Sequence, residues 1–219
     1  MIKLNSVSIG YHNSLLENID LFIPKGSLVA LVGENGSGKS TFLKVLSSLA
    51  KPLKGEIFID DKLLVGNSSD ILYLGTGRLF FQDLSVKELM TISTLQSNSR
   101  IASGALDNID WTILEQLQLM DFIDRRLSSL SDGQYQMVAI AFCFFANANL
   151  ILIDEPFSFL DYKNKRLVFD FLLEKSRKSN KTIIYSSNDL QYIEKSNLIL
   201  NITNNKIEKI DYLDLISII

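Results

Sequence analysis

The chain has 219 residues, 47% of them hydrophobic, with a single cysteine and a single histidine. That length suits one domain with a sizeable apolar core that needs no disulfide. Its 22 basic and 25 acidic residues leave a formal charge of -3, which excludes the broad basic footprint that neutralises a nucleic-acid backbone.

The opening MIKLNSVSIGY alternates like a strand and lacks the charged-then-apolar layout of a signal peptide. LLENIDLFIPKG continues the pattern to a turn at Pro24-Lys25-Gly26. Ser27–Val32, SLVALV, is a short apolar run of the kind buried in a parallel sheet. A loop over Gly33–Gly38 leads into a helix expected over Lys39–Ser48, and Gly55–Leu64 reads as a hairpin turning at Asp60-Asp61. From about Leu84 to Ala148 the pattern turns helical and mixed, with Ser85 and Glu88 spaced as a capping box. The polar stretch Gln96–Asn108 within it reads as a loop. Leu150–Ile153 returns to parallel-sheet grammar, followed by a helix over about Lys163–Lys178 and a strand over Thr182–Ser187. Strands at SNLILNI and KIEKI flank a hairpin turn at Asn204-Asn205, and YLDLISII forms a short helix packed on the core, with no added regulatory domain expected.

Cys143, in AFCFF, reads as a buried small hydrophobe and fits a reducing cytoplasm. The longest apolar run, MVAIAFCFFA, falls short of the roughly 18 residues a spanning helix needs. No direct membrane insertion is expected, and any membrane link would come through a partner.

Chemistry concentrates at GENGSGKST, Gly33–Thr41. Gly33, Gly38, Lys39 and Ser40 satisfy G-x-x-x-x-G-K-[ST], and Asn35, Gly36, Ser37 and Thr41 complete the phosphate-binding stretch. Glycines let backbone N–H groups wrap phosphates, Lys39 reaches the terminal ones, and the Ser40 hydroxyl can ligate Mg²⁺. LILIDEP ends a strand in Asp154 and Glu155, at the edge where open α/β sheets place ligands. Asp154 can hold Mg²⁺ through water, and Glu155 can orient or deprotonate an attacking water. The fold these motifs predict is α/β: a P-loop NTPase (RecA-like) core with a mainly parallel sheet, an N-terminal antiparallel β region and an inserted helical subdomain. The core would span 1–83 and 149–219, the subdomain about 84–148.

With LSDGQ (Leu130–Gln134) ahead of LILIDEP and SFLD (Ser158–Asp161) after it, the order of motifs resembles the ATP-binding-cassette ATPase family over essentially the whole chain. The resemblance implies ATP and Mg²⁺ as ligands. It also implies a head-to-tail dimer in which Ser131 and Gly133, with Gln134 beside them, close over ATP held by a second nucleotide-binding subunit. Tyr11 sits where the family stacks an aromatic ring on adenine, with a packed or exposed strand-end tyrosine as the alternative; His12 beside it reads as a surface residue. Asp161 matches a position linking the two sites of the dimer, and it also reads as a helix N-cap.

Three departures stand out. Asn188, in SSND, occupies the place of the family's γ-phosphate histidine; its amide donates but cannot become cationic. Thr76 stands where a glutamine senses Mg²⁺ and the attacking water, Gln82 falling six residues late. Tyr135, Met137 and Phe142 occupy positions where the family commonly has arginines. Glu155, Asn188 and Thr76 are thus the candidate catalytic residues, with hydrolysis expected to be slow.

The function implied is the ATP-hydrolysing subunit of a membrane transporter, cytoplasmic and held at the inner face of the cell membrane by transmembrane permease subunits. Thr76–Ser85 would be the docking surface. LSDGQ and DYKNK, similar to the importers' D-x-x-N-[KR], favour import over export, with an exporter ATPase as the alternative; an iron-siderophore, haem or cobalamin-type ligand is expected. Thr76-Gly77-Arg78 is also similar to a Thr-acidic-Arg run of siderophore-type importers, whereas EPFSFLD resembles haem-exporter ATPases. A subunit that binds ATP and hydrolyses little is the alternative of a different class.

Overall fold

In a computed structural model of the protein, residues 1–11, 13–78, 81–97, 110–146 and 148–218 are described. The backbone divides into two compact units: Met1–Gly75 with Asn149–Glu155 and Leu172–Ile219, and Thr76–Ala148 with Pro156–Phe171.

In the first unit, β1 (Ile2–Gly10) pairs antiparallel with both β2 (Ser14–Ile23) and β4 (Lys54–Ile59). β4 turns into β5 (Lys62–Leu63) through Asp60 and Asp61, at φ 46° and 61°. Two successive positive φ values match the right-handed twist of a tight hairpin, and aspartate tolerates them.

A second sheet, in the order β10-β9-β3-β8-β7-β6, combines β3 (Leu28–Gly33), β6 (Ile71–Leu74), β7 (Leu150–Ile153), β8 (Thr182–Ser186), β9 (Leu198–Thr203) and β10 (Lys206–Lys209). All its pairings are parallel except β9 with β10. β7 and β8 are buried at every residue, as strands covered on both faces must be. Helix α1 (Lys39–Leu46) sends Phe42, Leu43 and Leu46 into one core with Ile9, Leu16 and Ile23 of the first sheet and Leu31, Leu152 and Ile184 of the second. Each such side chain contributes about 1.5–3 kcal/mol by leaving water. That cluster fixes α1 behind the loop that precedes it.

The second unit is helical. Helix α2 (Val86–Ser97) opens on the expected box: Glu88 Oε2 accepts from Ser85 N–H at 2.7 Å, and Ser85 Oγ accepts from Glu88 N–H at 3.2 Å. Helix α3 (Trp111–Gln116) is capped by Asp110, whose carboxylate accepts from Thr112 N–H at 3.2 Å. Helix α4 (Asp132–Phe145) carries the long apolar run and buries Met137, Val138, Ile140 and Cys143. Helix α5 (Tyr162–Ser179) begins in this unit and ends in the first. The first unit also holds α6 (Leu190–Ile193) and α7 (Tyr212–Ile218).

The architecture expected from the sequence is the one observed, with local differences. α1 stops at Leu46 because Ser48 takes a left-handed φ of 62°. The loop expected from Gln96 begins inside α2, and its stretch from residue 98 onward lies outside the described residues, as does His12. The second unit takes in residues 76–83 and Pro156–Phe171 beyond the expected helical span. Among the described residues no helix is long and apolar enough to cross a membrane.

Candidate functional site

β3 runs out at Gly33, and the chain turns to Gly38, which precedes α1 with φ 106°. Glycine adopts that value without the penalty a Cβ would bring. The turn gathers polar groups inward. Lys39 is buried, and its ammonium donates to the Gly33 carbonyl at 2.6 Å and the Glu34 carbonyl at 2.9 Å. Burial holds its pKa below the usual lysine value, opposed by the Glu155 and Asp154 carboxylates. Ser37 Oγ is buried without a hydrogen-bond partner. Asn35, Gly36 and Ser40 are exposed and Thr41 is buried, and a Cβ on Gly36 would meet nothing within 4 Å. A buried cation, an unsatisfied hydroxyl and open backbone at a helix N-terminus together fit a polyphosphate.

Asp154 follows β7 and is buried. Ile153 pairs with Tyr185, so the next residues, Asp154 and Ser186, come level. Ser186 Oγ donates to Asp154 Oδ1 at 2.6 Å and accepts from Glu155 N–H at 2.8 Å. One hydroxyl therefore fixes the carboxylate and the backbone of its neighbour. Glu155 itself holds φ 52°, a conformation that persists in a non-glycine residue where the surroundings impose it. Its side chain is exposed. Tyr73 of β6 stands on the other side of Asp154: burial, then that carboxylate, push its phenol up to about 12.

Asn188 is exposed just beyond β8. With its amide nitrogen turned toward them, it donates to the Gly33 carbonyl at 3.0 Å and the Ser187 carbonyl at 3.1 Å. Lys39 and Asn188 thus meet at one carbonyl, and the carboxyl ends of β3, β7 and β8 bring Gly33, Lys39, Asp154, Glu155 and Asn188 together. Tyr11, after β1, is 62% exposed. Among the described residues no cluster of three His, Cys, Asp or Glu side chains could hold a metal ion. A cation bound by Ser40 and Asp154 would take its other ligands from phosphate and water, the manner of Mg²⁺.

In the second unit, Ser131 caps α4: its Oγ accepts from Gln134 N–H at 3.3 Å, and Gln134 Oε1 accepts from Ser131 N–H at 3.1 Å. The Gln134 side chain is therefore engaged in the cap. A Cβ on Gly133 would lie 2.8 Å from the Phe159 carbonyl, so close approach, not a special φ, requires glycine there. Asp161 caps α5, its Oδ1 accepting from Asn164 N–H at 2.8 Å and its carbonyl from Lys165 N–H at 2.9 Å. Thr76 is exposed in the loop after β6.

Ser186 and Tyr73 were not singled out from sequence. The signal for Ser186 was a polar residue ending an apolar strand at the sheet edge where ligands bind; Tyr73 lies in a strand too short to show a period.

The ABC transporter family model matches residues 16–158. The chain is 33% identical over 201 residues to the lipoprotein-releasing system ATP-binding protein LolD of Buchnera aphidicola subsp. Schizaphis graminum, covering 88% of this chain and 87% of that one. It is 32% identical over 199 residues to the energy-coupling factor transporter ATP-binding protein EcfA1 of Mycoplasmopsis pulmonis, covering 87% and 74%. A dimeric ATP-binding cassette in a post-hydrolysis state, bound to ADP and Pi, superposes with TM-score 0.87 at 25% identity over 97% of this chain and 99% of that one. The chain belongs to the ABC transporter family and is an ATP-binding cassette ATPase by fold and by family.

Proposed function

We propose that the two units form one nucleotide-binding domain and that the protein drives a membrane transporter by binding and slowly hydrolysing ATP. It would act as a head-to-tail dimer, a homodimer in the simplest case, docked through Thr76–Ser85 on transmembrane permease subunits at the cytoplasmic face of the cell membrane. The observation that carries this reading is the convergence of Lys39, Asp154, Glu155 and Asn188 at neighbouring strand ends, with Asp154 and Glu155 fixed by Ser186.

In this reading Lys39 and the Gly33–Gly38 backbone hold the phosphates, Tyr11 stacks on the adenine, and Ser40 and Asp154 hold Mg²⁺. When bound, Mg²⁺ supplies charge neutralisation on the phosphate oxygens and helps fix their geometry. Glu155 orients the attacking water and draws a proton from it. Asn188 gives one neutral hydrogen bond where an imidazole would give a stronger or charged one. Its amide also has carbonyl partners of its own at Gly33 and Ser187. Both features slow turnover and lengthen the life of the ATP-bound dimer.

Ser131 and Gly133 sit at the N-terminus of α4, where the positive end of the helix dipole suits an anion. Asp161 lies between exposed Phe159 and Tyr162, at 74% and 65%, a surface suited to a second copy. Import of an iron-siderophore, haem or cobalamin-type ligand is supported by Thr76-Gly77-Arg78 and by Asp161, Asn164 and Lys165 in DYKNK. Asn188 also supports a second reading, a regulatory subunit that dimerises on ATP with little hydrolysis.

Light scattering on the Glu155→Gln variant tests the pairing. Mg-ATP is expected to double its mass in solution, and a mass unchanged by Mg-ATP would contradict it.

A further inference from the structure

LSDGQ places an acid, Asp132, at the first position of α4, next to the groups proposed to receive a phosphate. A bare carboxylate there would repel that phosphate. Arg78, from the loop that contains Thr76, meets it: Nη2 donates to Asp132 Oδ1 at 2.7 Å and to the Leu130 carbonyl at 3.3 Å. Nη1 donates to Gln82 Oε1 at 3.4 Å, and the guanidinium carbon lies 5.0 Å from the centroid of the Tyr135 ring. The fork thus holds both neighbours of the Ser131 cap and stacks on the residue that occupies a family arginine position. A cation absent from the helix is supplied from outside it.

The contact is not isolated. Ser128 N–H donates to the Gln82 carbonyl at 3.0 Å and Leu127 N–H to the Leu84 carbonyl at 2.9 Å, so the chain around residues 82–84 is laced to the run-up to the cap. Arg78 is 39% exposed and Asp132 62%, and an open pair of this kind contributes little to stability. Its consequence is electrostatic: it decides the charge presented at a helix N-terminus.

We propose that Arg78 is a positioning residue that keeps the α4 N-terminus receptive to a phosphate, by pairing with Asp132 and bracing Leu130 and Tyr135; this rests on the head-to-tail dimer proposed above. It gives the Thr76–Arg78 segment a direct hold on the surface that would close over the second subunit's ATP.

The test measures Mg-ATP-driven dimerisation by analytical ultracentrifugation in the Glu155→Gln background, with fluorescent-ATP affinity measured on dilute monomer. Arg78→Ala is expected to weaken dimerisation roughly tenfold while monomer affinity stays within about twofold, because the nearest polar partners of Arg78 all lie in the second unit. Adding Asp132→Asn, which removes the repelling charge, is expected to recover most of that loss. Dimerisation of Arg78→Ala equal to the background, or no recovery with Asp132→Asn, overturns the proposal. A background that itself fails to dimerise overturns the pairing instead. Should Arg78→Ala lose its native far-UV spectrum, Arg78→Gln is read in the same assays with the same expectations.

Discussion

Ser186 shows how one side chain organises the strand edge proposed to be catalytic. Its hydroxyl is buried, donates to one carboxylate and accepts from the backbone of the next residue. Ser186→Ala would leave a buried Asp154 oxygen short of a partner, at a cost of about 1–3 kcal/mol. Groups that orient a metal ligand typically change metal affinity by roughly 10–100-fold. Ser186→Ala is therefore expected to raise the Mg²⁺ concentration needed for half-maximal turnover by about that factor, and Ser186→Thr, which keeps the hydroxyl, to restore it; Mg²⁺ titrations of ATPase activity check both. Cys143 gives a simpler expectation. Burial pushes its thiol above the ordinary cysteine range, so a thiol reagent added to native protein should react only as the protein unfolds, in step with added denaturant.

At the scale of elements, α4 carries the two sharpest expectations. Alanine is favoured over glycine by about 1 kcal/mol within helices, yet Gly133→Ala would set a Cβ 2.8 Å from the Phe159 carbonyl. Such overpacking costs about 1–3 kcal/mol, so thermal unfolding should come earlier by about 2–4 °C for each net kcal/mol lost. Unchanged or raised thermal stability would mean that the turn holding Phe159 yields. Ser131→Ala removes the cap and should cost about 1 kcal/mol in a denaturant melt. What was legible in the sequence follows the same physics. β3, β7 and β8 announce themselves as apolar runs between turns, and α2 by its Ser85–Glu88 spacing. β6 does not, because its four residues are mostly half-buried; α3 and α6, of six and four residues, are too short to display a helical period.

For the whole molecule, legibility depended on separation along the chain. The phosphate loop is local, so its spacing is visible in nine consecutive residues. The link from Ser186 to Asp154 spans 32 positions and that from Arg78 to Asp132 spans 54; each is set by strand register or loop lacing that no local pattern encodes. The departure at Asn188 was visible, but its carbonyl partners at Gly33 and Ser187 were not. The edge formed by Lys39, Asp154, Glu155 and Asn188 is proposed to be a working ATPase slowed by its asparagine. The direct test is steady-state Mg-ATP hydrolysis by wild type, Asn188→His and Glu155→Gln, purified alike. Glu155→Gln is expected at background, wild type measurably above it, and Asn188→His faster by about tenfold. Wild type and Asn188→His turning over alike would contradict that proposal.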